Sequence, residues 1–254
     1  MRFRTLAALS VAAALVVLSH ATPARADDIK VMSSVAMRAV IEELAPRFER
    51  QSGHRIVATF GLAGALKTRI ESGEAYDVAF LTPAQIDDLV RQGKAAASSR
   101  MVIARTGLGL MVKAGAPKLD TTTVEAFKRT LLASRSLTYV PAGASGVAFA
   151  ATVKQLGITA ALEPKTKTSA SGEEVSANVT SGAAEMAVLP VSEILPVKGA
   201  ALGGVFPADA QTYIVMAGAA SGAASQAARD FLALLGAAAS DTVITAKGME
   251  RVKQ

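Results

Sequence analysis

Short apolar runs and amphipathic stretches take turns along this chain, and that alternation restricts it to an α/β sheet with helices on its faces. Ile29 to Met32, Arg55 to Phe60 and Val78 to Leu81 have strand composition, the last a continuous apolar run of the kind buried on both faces. Between the first two, Met37, Val40, Ile41, Leu44 and Phe48 recur at helical spacing, and Gly53 ends the pattern. Leu66 and Ile70 mark a second helix. Ile86, Leu89 and Val90 mark a third, opened by the capping box Thr82-Pro83-Ala84-Gln85 and closed by Gly93.

The glycine-dotted run Arg105 to Val112 reads as a segment crossing between two lobes. A second series follows: Leu137 to Val140, a helix through Phe149, Val153 and Leu156 ending at Gly157, and a strand edge at Lys165 to Lys167. A short helix at Glu173 to Ser181 turns Val175 and Val179 inward, and Met186 to Leu189 is another buried strand. Gln211 to Met216 reads as a return strand, and a terminal helix from about Ser225 carries Phe231, Leu232 and Leu235. The expectation is two α/β lobes, each a mixed sheet flanked by helices, joined by a two-strand hinge near Arg105 and Tyr213. Residues 27–104 with about 213–254 form the first lobe, and about 105–212 the second.

The first 26 residues stand outside this pattern. A basic start (Arg2, Arg4), an apolar run from Thr5 to Ser19 and the A-x-A site Ala24-Arg25-Ala26 have the layout of a signal peptide cleaved after Ala26. The apolar run is shorter than the roughly 20 residues a membrane span needs. The chain has no Cys, hence no lipid-attachment site, no disulfide framework and no thiolate metal ligand. The expected location is therefore the periplasm. Loss of the leader leaves 24 basic against 21 acidic residues, a net charge of +3, scattered and without interleaved aromatics. That excludes a nucleic-acid surface from the reading and is compatible with an anionic small ligand.

Three turns between a buried strand and a helix start are built of small or hydroxyl residues: Ser33-Ser34, Gly61-Leu62-Ala63-Gly64 and Gly143-Ala144-Ser145-Gly146. Ligands of open α/β sheets bind beyond the carboxyl ends of the strands. Free N–H groups and the positive end of the helix dipole make such turns anion cradles. Arg38, one turn into the first helix, and Lys67 are candidate charged contacts. Arg69, Arg105, Lys165 and Lys167 complete the set. Catalysis is poorly served. His54 is the only His beyond the leader and lies in a helix-to-strand turn away from the cleft. Gly143 to Val147 lacks the last Gly of a nucleophile elbow, and with no well-placed His, Ser145 has no activating base. The adjacent pairs Asp87-Asp88 and Glu173-Glu174 read as solvated helix faces. No metal site and no cofactor is expected.

Several stretches are similar to one family. Glu42 to Glu49 (EELAPRFE) with Ser52-Gly53-His54, Thr59 to Leu66 (TFGLAGAL), Ile70 to Glu74 with Tyr76-Asp77-Val78, Val140 to Gly143, Ser181 to Glu185 and Ala228 to Leu232 resemble the periplasmic molybdate-binding-protein-like family. The resemblance covers essentially all of the chain beyond the leader. It implies the type II two-lobed fold and a monomeric solute-binding component of an ABC importer, handing a small anion to a membrane permease. In that family the oxyanion is held by a Ser after the first strand, a Ser in the second turn, backbone of later turns and a Tyr after the last strand of the second lobe. Here those places fall on Ala36 (with Ser33 and Ser34 nearby), on Leu62 or Ala63, and on Pro190. Each hydrogen bond left unmade to a dry oxyanion costs about 1–3 kcal/mol. A small organic carboxylate read by Arg38 or Lys67 is therefore the alternative ligand. A sensor presenting its closed form to a receptor, and a Ser145-dependent enzyme, are the alternative functions.

Overall fold

The computed structural model describes residues 28–252, so the leader expected at residues 1–26 lies outside the described residues. Among the described residues ten strands and ten α-helices alternate much as the hydrophobic pattern dictates. In the first series β1 (Asp28–Ser34), α1 (Arg38–Ser52), β2 (Arg55–Gly61), α2 (Ala63–Glu71), β3 (Val78–Leu81) and α3 (Pro83–Arg91) make a parallel β2-β1-β3 unit. The apolar stripe of α1 is buried throughout, with Met37, Val40 and Ile41 at most 1 % exposed. Gly53 ends that helix in the left-handed region, at φ +75, where a side chain would be strained.

A long strand, β4 (Met101–Lys113), then joins two lobes. The second series is α4 (Val124–Ala133), β5 (Leu137–Tyr139), α5 (Ala144–Gln155), α6 (Thr159–Leu162), β6 (Thr166–Thr168), α7 (Gly172–Ser181), β7 (Met186–Pro190), α8 (Val191–Ile194) and β8 (Ala200–Val205). The chain returns as β9 (Tyr213–Ala220) and ends in α9 (Gln226–Gly236), α10 (Asp241–Ala246) and β10 (Glu250–Arg251). Strands lie in the order β2-β1-β3-β9-β4-β7-β5-β6, with β8 and β10 also on β4. Up to Gly107, β4 pairs antiparallel with β9; from Leu108 it pairs with β7, and from Gly109 with β8. The sheet changes lobes between two consecutive residues of one strand.

Each lobe has an aliphatic core with a small aromatic centre. Phe231 stands edge-on to Phe48 at 5.2 Å and to Phe80 at 6.4 Å in the first lobe. Phe206 lies 4.5 Å from Phe127 and 6.2 Å from Phe149 in the second. Among the described residues no single helix is long and apolar enough to cross a membrane.

Two readings change. Ser33 and Ser34 finish β1 rather than cap a helix: no side-chain cap bond forms at Ser34, and the Ser33 hydroxyl donates to Ser34 O. Gln211 lies outside the return strand, which begins at Tyr213 and stays in the first lobe, so the second crossing is the segment before it. A further strand, β8, contains two glycines, Gly203 and Gly204, and carries no strand signal in the sequence pattern. Both glycines are needed. A Cβ on Gly204 would lie 2.6 Å from Thr121 Oγ1, and one on Gly203 would lie 3.0 Å from Leu119 and Val112 side chains.

Candidate functional site

The strand-to-helix turns of both lobes face one another across a chamber of about 370 Å³. Ser34, Val35 and Ala36 follow β1; Gly61, Leu62, Ala63 and Gly64 follow β2; Thr82 and Gln85 follow β3. Opposite stand Val140 and the turn Ala142 to Ser145, together with Gly172, Leu189, Pro190 and Glu193, while Ile214 of β9 lines the chamber at the joint of the lobes. Ser34, Gly61, Leu62, Ala63, Gly64, Ala144, Ser145 and Pro190 are thus brought together as the sequence suggested. Ser33 does not reach the chamber, being fully buried.

Gly146 is not a wall residue either, and its role is to let the wall form. A Cβ there would sit 1.9 Å from Val140 O, so only Gly allows α5 to start this close to the end of β5. The first ladder bonds of the two glycine-containing turns are Leu66 N to Leu62 O and Val147 N to Gly143 O. The N–H groups of Ala63, Gly64, Ala65, Ala144, Ser145 and Gly146 precede those ladders, which places helix-end donors on both sides of the cleft. On the β3 side Gln85 Oε1 accepts from Thr82 N at 3.2 Å and from Thr82 Oγ1 at 2.8 Å. That closed pair leaves the Gln85 amide nitrogen as a further donor. Thr82 and Gln85 were read only as a capping box; their place in the wall follows from β3 lying beside β1 in the sheet.

No basic side chain lines this chamber, and Glu193 is its one titratable side chain. The Glu193 carboxyl is partly buried between α8 and the start of α7, with Oε2 3.0 Å from where a Gly172 Cβ would stand. Desolvation, reinforced by Glu173 and opposed by Arg38, pushes its pKa up to about 7. Nothing in the sequence marks this acid, which stands alone in a short helical segment. Ser145 is 6 % exposed at the second position of α5, and no His lines the chamber with it. His54 precedes the start of β2, at the opposite end of that strand from Gly61.

Arg38 faces a different space. Its guanidinium pairs with Glu173 Oε1 at 2.9 Å, across the two lobes, and lies 4.9 Å from the Phe60 ring centroid. Glu173 is therefore not a merely solvated face. Its own backbone N–H and the nearby Arg38 charge hold its carboxyl below the usual range. Lys67 is engaged between α2 and α3 by Glu71 at 2.6 Å and Asp88 at 3.6 Å, and it does not line the cleft. Asp87 binds Arg100, and Arg69 binds Glu74. Arg105 lies over the Tyr213 ring and pairs with Glu250, while Lys165 donates to Leu132 O and Ser134 O. Among the described residues no group of three or more His, Cys, Asp or Glu is arranged to hold a metal ion.

The family model described as bacterial extracellular solute-binding protein matches residues 29–250. An aconitate isomerase of a Pseudomonas species is 29% identical over 197 residues, covering 75% of this chain and 74% of that protein. Molybdate-binding protein ModA of Azotobacter vinelandii is 28% identical over 182 residues, covering 68% of this chain and 69% of that protein. The solved structure of the Azotobacter vinelandii periplasmic molybdate-binding protein superposes with a TM-score of 0.74 at 22% identity, over 89% of this chain and 100% of that one. The two-lobed fold is shared with periplasmic binding proteins.

Proposed function

The chain belongs to the bacterial extracellular solute-binding protein family, and from that premise we propose that it is a periplasmic carrier of a small organic carboxylate, which it delivers to the permease of an ABC-type importer. One observation carries the ligand class: the cleft joins helix-end N–H donors to walls of carbon. Leu62, Val140, Val147, Leu189 and Ile214 surround a chamber of about 370 Å³, within the range of sites for organic ligands. Hydroxyl side chains on that wall are confined to Ser34, Thr82 and Ser145. The Thr82 hydroxyl is already committed to Gln85. A tetrahedral oxyanion would meet mostly apolar surface and one acid, whereas a carboxylate needs donors at one end and carbon at the other. Binding draws the lobes together about β4, and the closed form is what the permease reads.

A thermal-shift screen of the mature protein tests this. A ligand at a hundredfold excess over its dissociation constant stabilises by about 2.7 kcal/mol. Small carboxylates are expected to raise the unfolding temperature. A shift with molybdate, tungstate or sulfate and none with carboxylates would defeat the proposal.

Glu193 favours a second reading, an isomerase acting on an unsaturated acid. A carboxyl titrating at about 7 is poised to take a proton from the carbon beside a double bond. The double bond shifts and a proton returns at its far end, so atoms balance without a cofactor. The name of the aconitate isomerase relative accords with such chemistry. Proton exchange of cis- and trans-aconitate in deuterated water, followed by NMR, decides. Isomerisation and deuterium uptake that vanish in Glu193→Gln support an enzyme; none with wild-type protein leaves the carrier alone.

A further inference from the structure

Behind the cleft lies a second chamber of about 430 Å³, bounded by α1 on one lobe and by α7, α8 and the segment after α8 on the other. The two chambers share the walls Val35, Gly172, Leu189 and Glu193. The front chamber lacks any cation, whereas Arg38 lines the rear one, together with the acids Glu42, Glu173 and Glu193 and the hydroxyls of Ser176 and Ser192. Two polar atoms here are buried without a hydrogen-bond partner, Arg38 Nε and Ser192 Oγ. No other described side chain shares that condition. Arg38 gives Glu173 only one edge nitrogen, and Ser192 is 2 % exposed. Polar atoms buried without a partner are costly, so this pair holds hydrogen-bonding capacity that no protein group takes up.

We propose that the rear chamber is a second anion subsite, and that the ligand is a di- or tricarboxylic acid spanning both chambers. One carboxylate meets the helix-end donors of the front chamber. Its carbon body passes Val35 and Leu189, and a second carboxylate takes the Nε–Nη2 edge of Arg38 in bidentate fashion, with Ser192 alongside. Glu173 yields its place on Arg38 as the ligand arrives. This assignment rests on the carboxylate reading of the front chamber and extends it.

The two ends of the Arg38–Glu173 pair make opposite predictions, which separates a subsite from a plain interlobe brace. Titration calorimetry is run with propionate, succinate and tricarballylate on the mature protein, Arg38→Gln, Arg38→Lys and Glu173→Gln, each checked for an intact unfolding transition. Succinate or tricarballylate is expected to bind about tenfold or more tighter than propionate. The ratio should collapse towards one in Arg38→Gln, recover in part in Arg38→Lys, and rise in Glu173→Gln, where the competing carboxylate is gone. Equal affinities for all three acids, or equal weakening by Arg38→Gln and Glu173→Gln, would overturn the subsite and leave the front-chamber carboxylate standing. Heat from molybdate or sulfate with none from any acid would remove both.

Discussion

Glu193 is the acid whose ionisation the cleft resists most, and the direction of that resistance sets a pH window. Its pKa is near 4.5 in the unfolded chain and about 7 in the folded one. Between these values the folded state binds the extra proton, so stability falls as pH rises from about 4.5 through 7 and stays low above. Glu173 from α7 sharpens the effect and Arg38 from α1 tempers it. Glu193→Gln should be more stable than the parent at pH 8 by on the order of 2 kcal/mol and no more stable at pH 4.5, measured by urea unfolding. Anion binding should weaken from pH 6 to 8 in the parent and stay flat in the variant. Gly146→Ala is the opposite kind of residue effect, a pure collision. A Cβ 1.9 Å from Val140 O forces the start of α5 away from β5, at a cost of about 1–3 kcal/mol or more in thermal unfolding. Most of the chamber's turn residues were legible because small residues at a strand-to-helix turn leave backbone N–H groups open, while Ser33 and Gly146 in the same turns serve packing instead. Glu193 and the aim of Arg38 were not. A carboxyl is desolvated only when another element, here the start of α7, is laid over it, and helix spacing does not say which neighbour a side chain meets.

At the scale of elements, the crossing from lobe to lobe hangs on a side chain that imitates a strand. Where β4 leaves β9 and has not yet met β8, Gln211 Oε1 accepts from Leu108 N at 2.7 Å, and its Nε2 donates to Leu108 O at 3.1 Å and Phe206 O at 3.3 Å. Gly107 makes room for it, since a Cβ there would lie 3.0 Å from the Gln211 amide. Gln211→Ala leaves the buried Leu108 N–H without its partner. It should cost about 1–3 kcal/mol and raise hydrogen exchange at that amide well above its β4 neighbours. An unchanged exchange rate would show that the amide clasp does nothing. Periodicity found the strands and helices around this joint because each buries one face. It shifted Gln211 into a strand because apolar composition continues through Tyr213 to Met216 without marking where pairing begins. The same limit hid β8: two glycines look like a turn until Thr121, Leu119 and Val112 are seen pressed against them.

For the whole molecule the question is what holds the lobes together before a ligand arrives. α8 packs against the start of α1, and two further contacts span the cleft and differ in kind. The Arg38–Glu173 pair is 35 % and 57 % exposed at its side chains, so solvent screening leaves it worth under about 1 kcal/mol. Leu62 instead reaches from the first lobe into the apolar cluster of the second, around Val140, Val175, Val179 and Leu189. Burying a leucine side chain is worth about 1.5–3 kcal/mol when complete, and this one is partly buried. Of these two, the apolar contact should therefore contribute more to the closed population. The absence of Cys makes the test direct, because Thr68→Cys on α2 and Lys154→Cys on α5, both exposed, are unique labelling sites. Spin labels there should report a longer mean distance in ligand-free Leu62→Ala than in the parent, and a smaller change in Glu173→Gln. Added carboxylate should shorten the distance in all three. Labels that hold one distance through every variant and every ligand would mean that β4 joins the lobes rigidly, and that a permease must recognise loading by something other than closure.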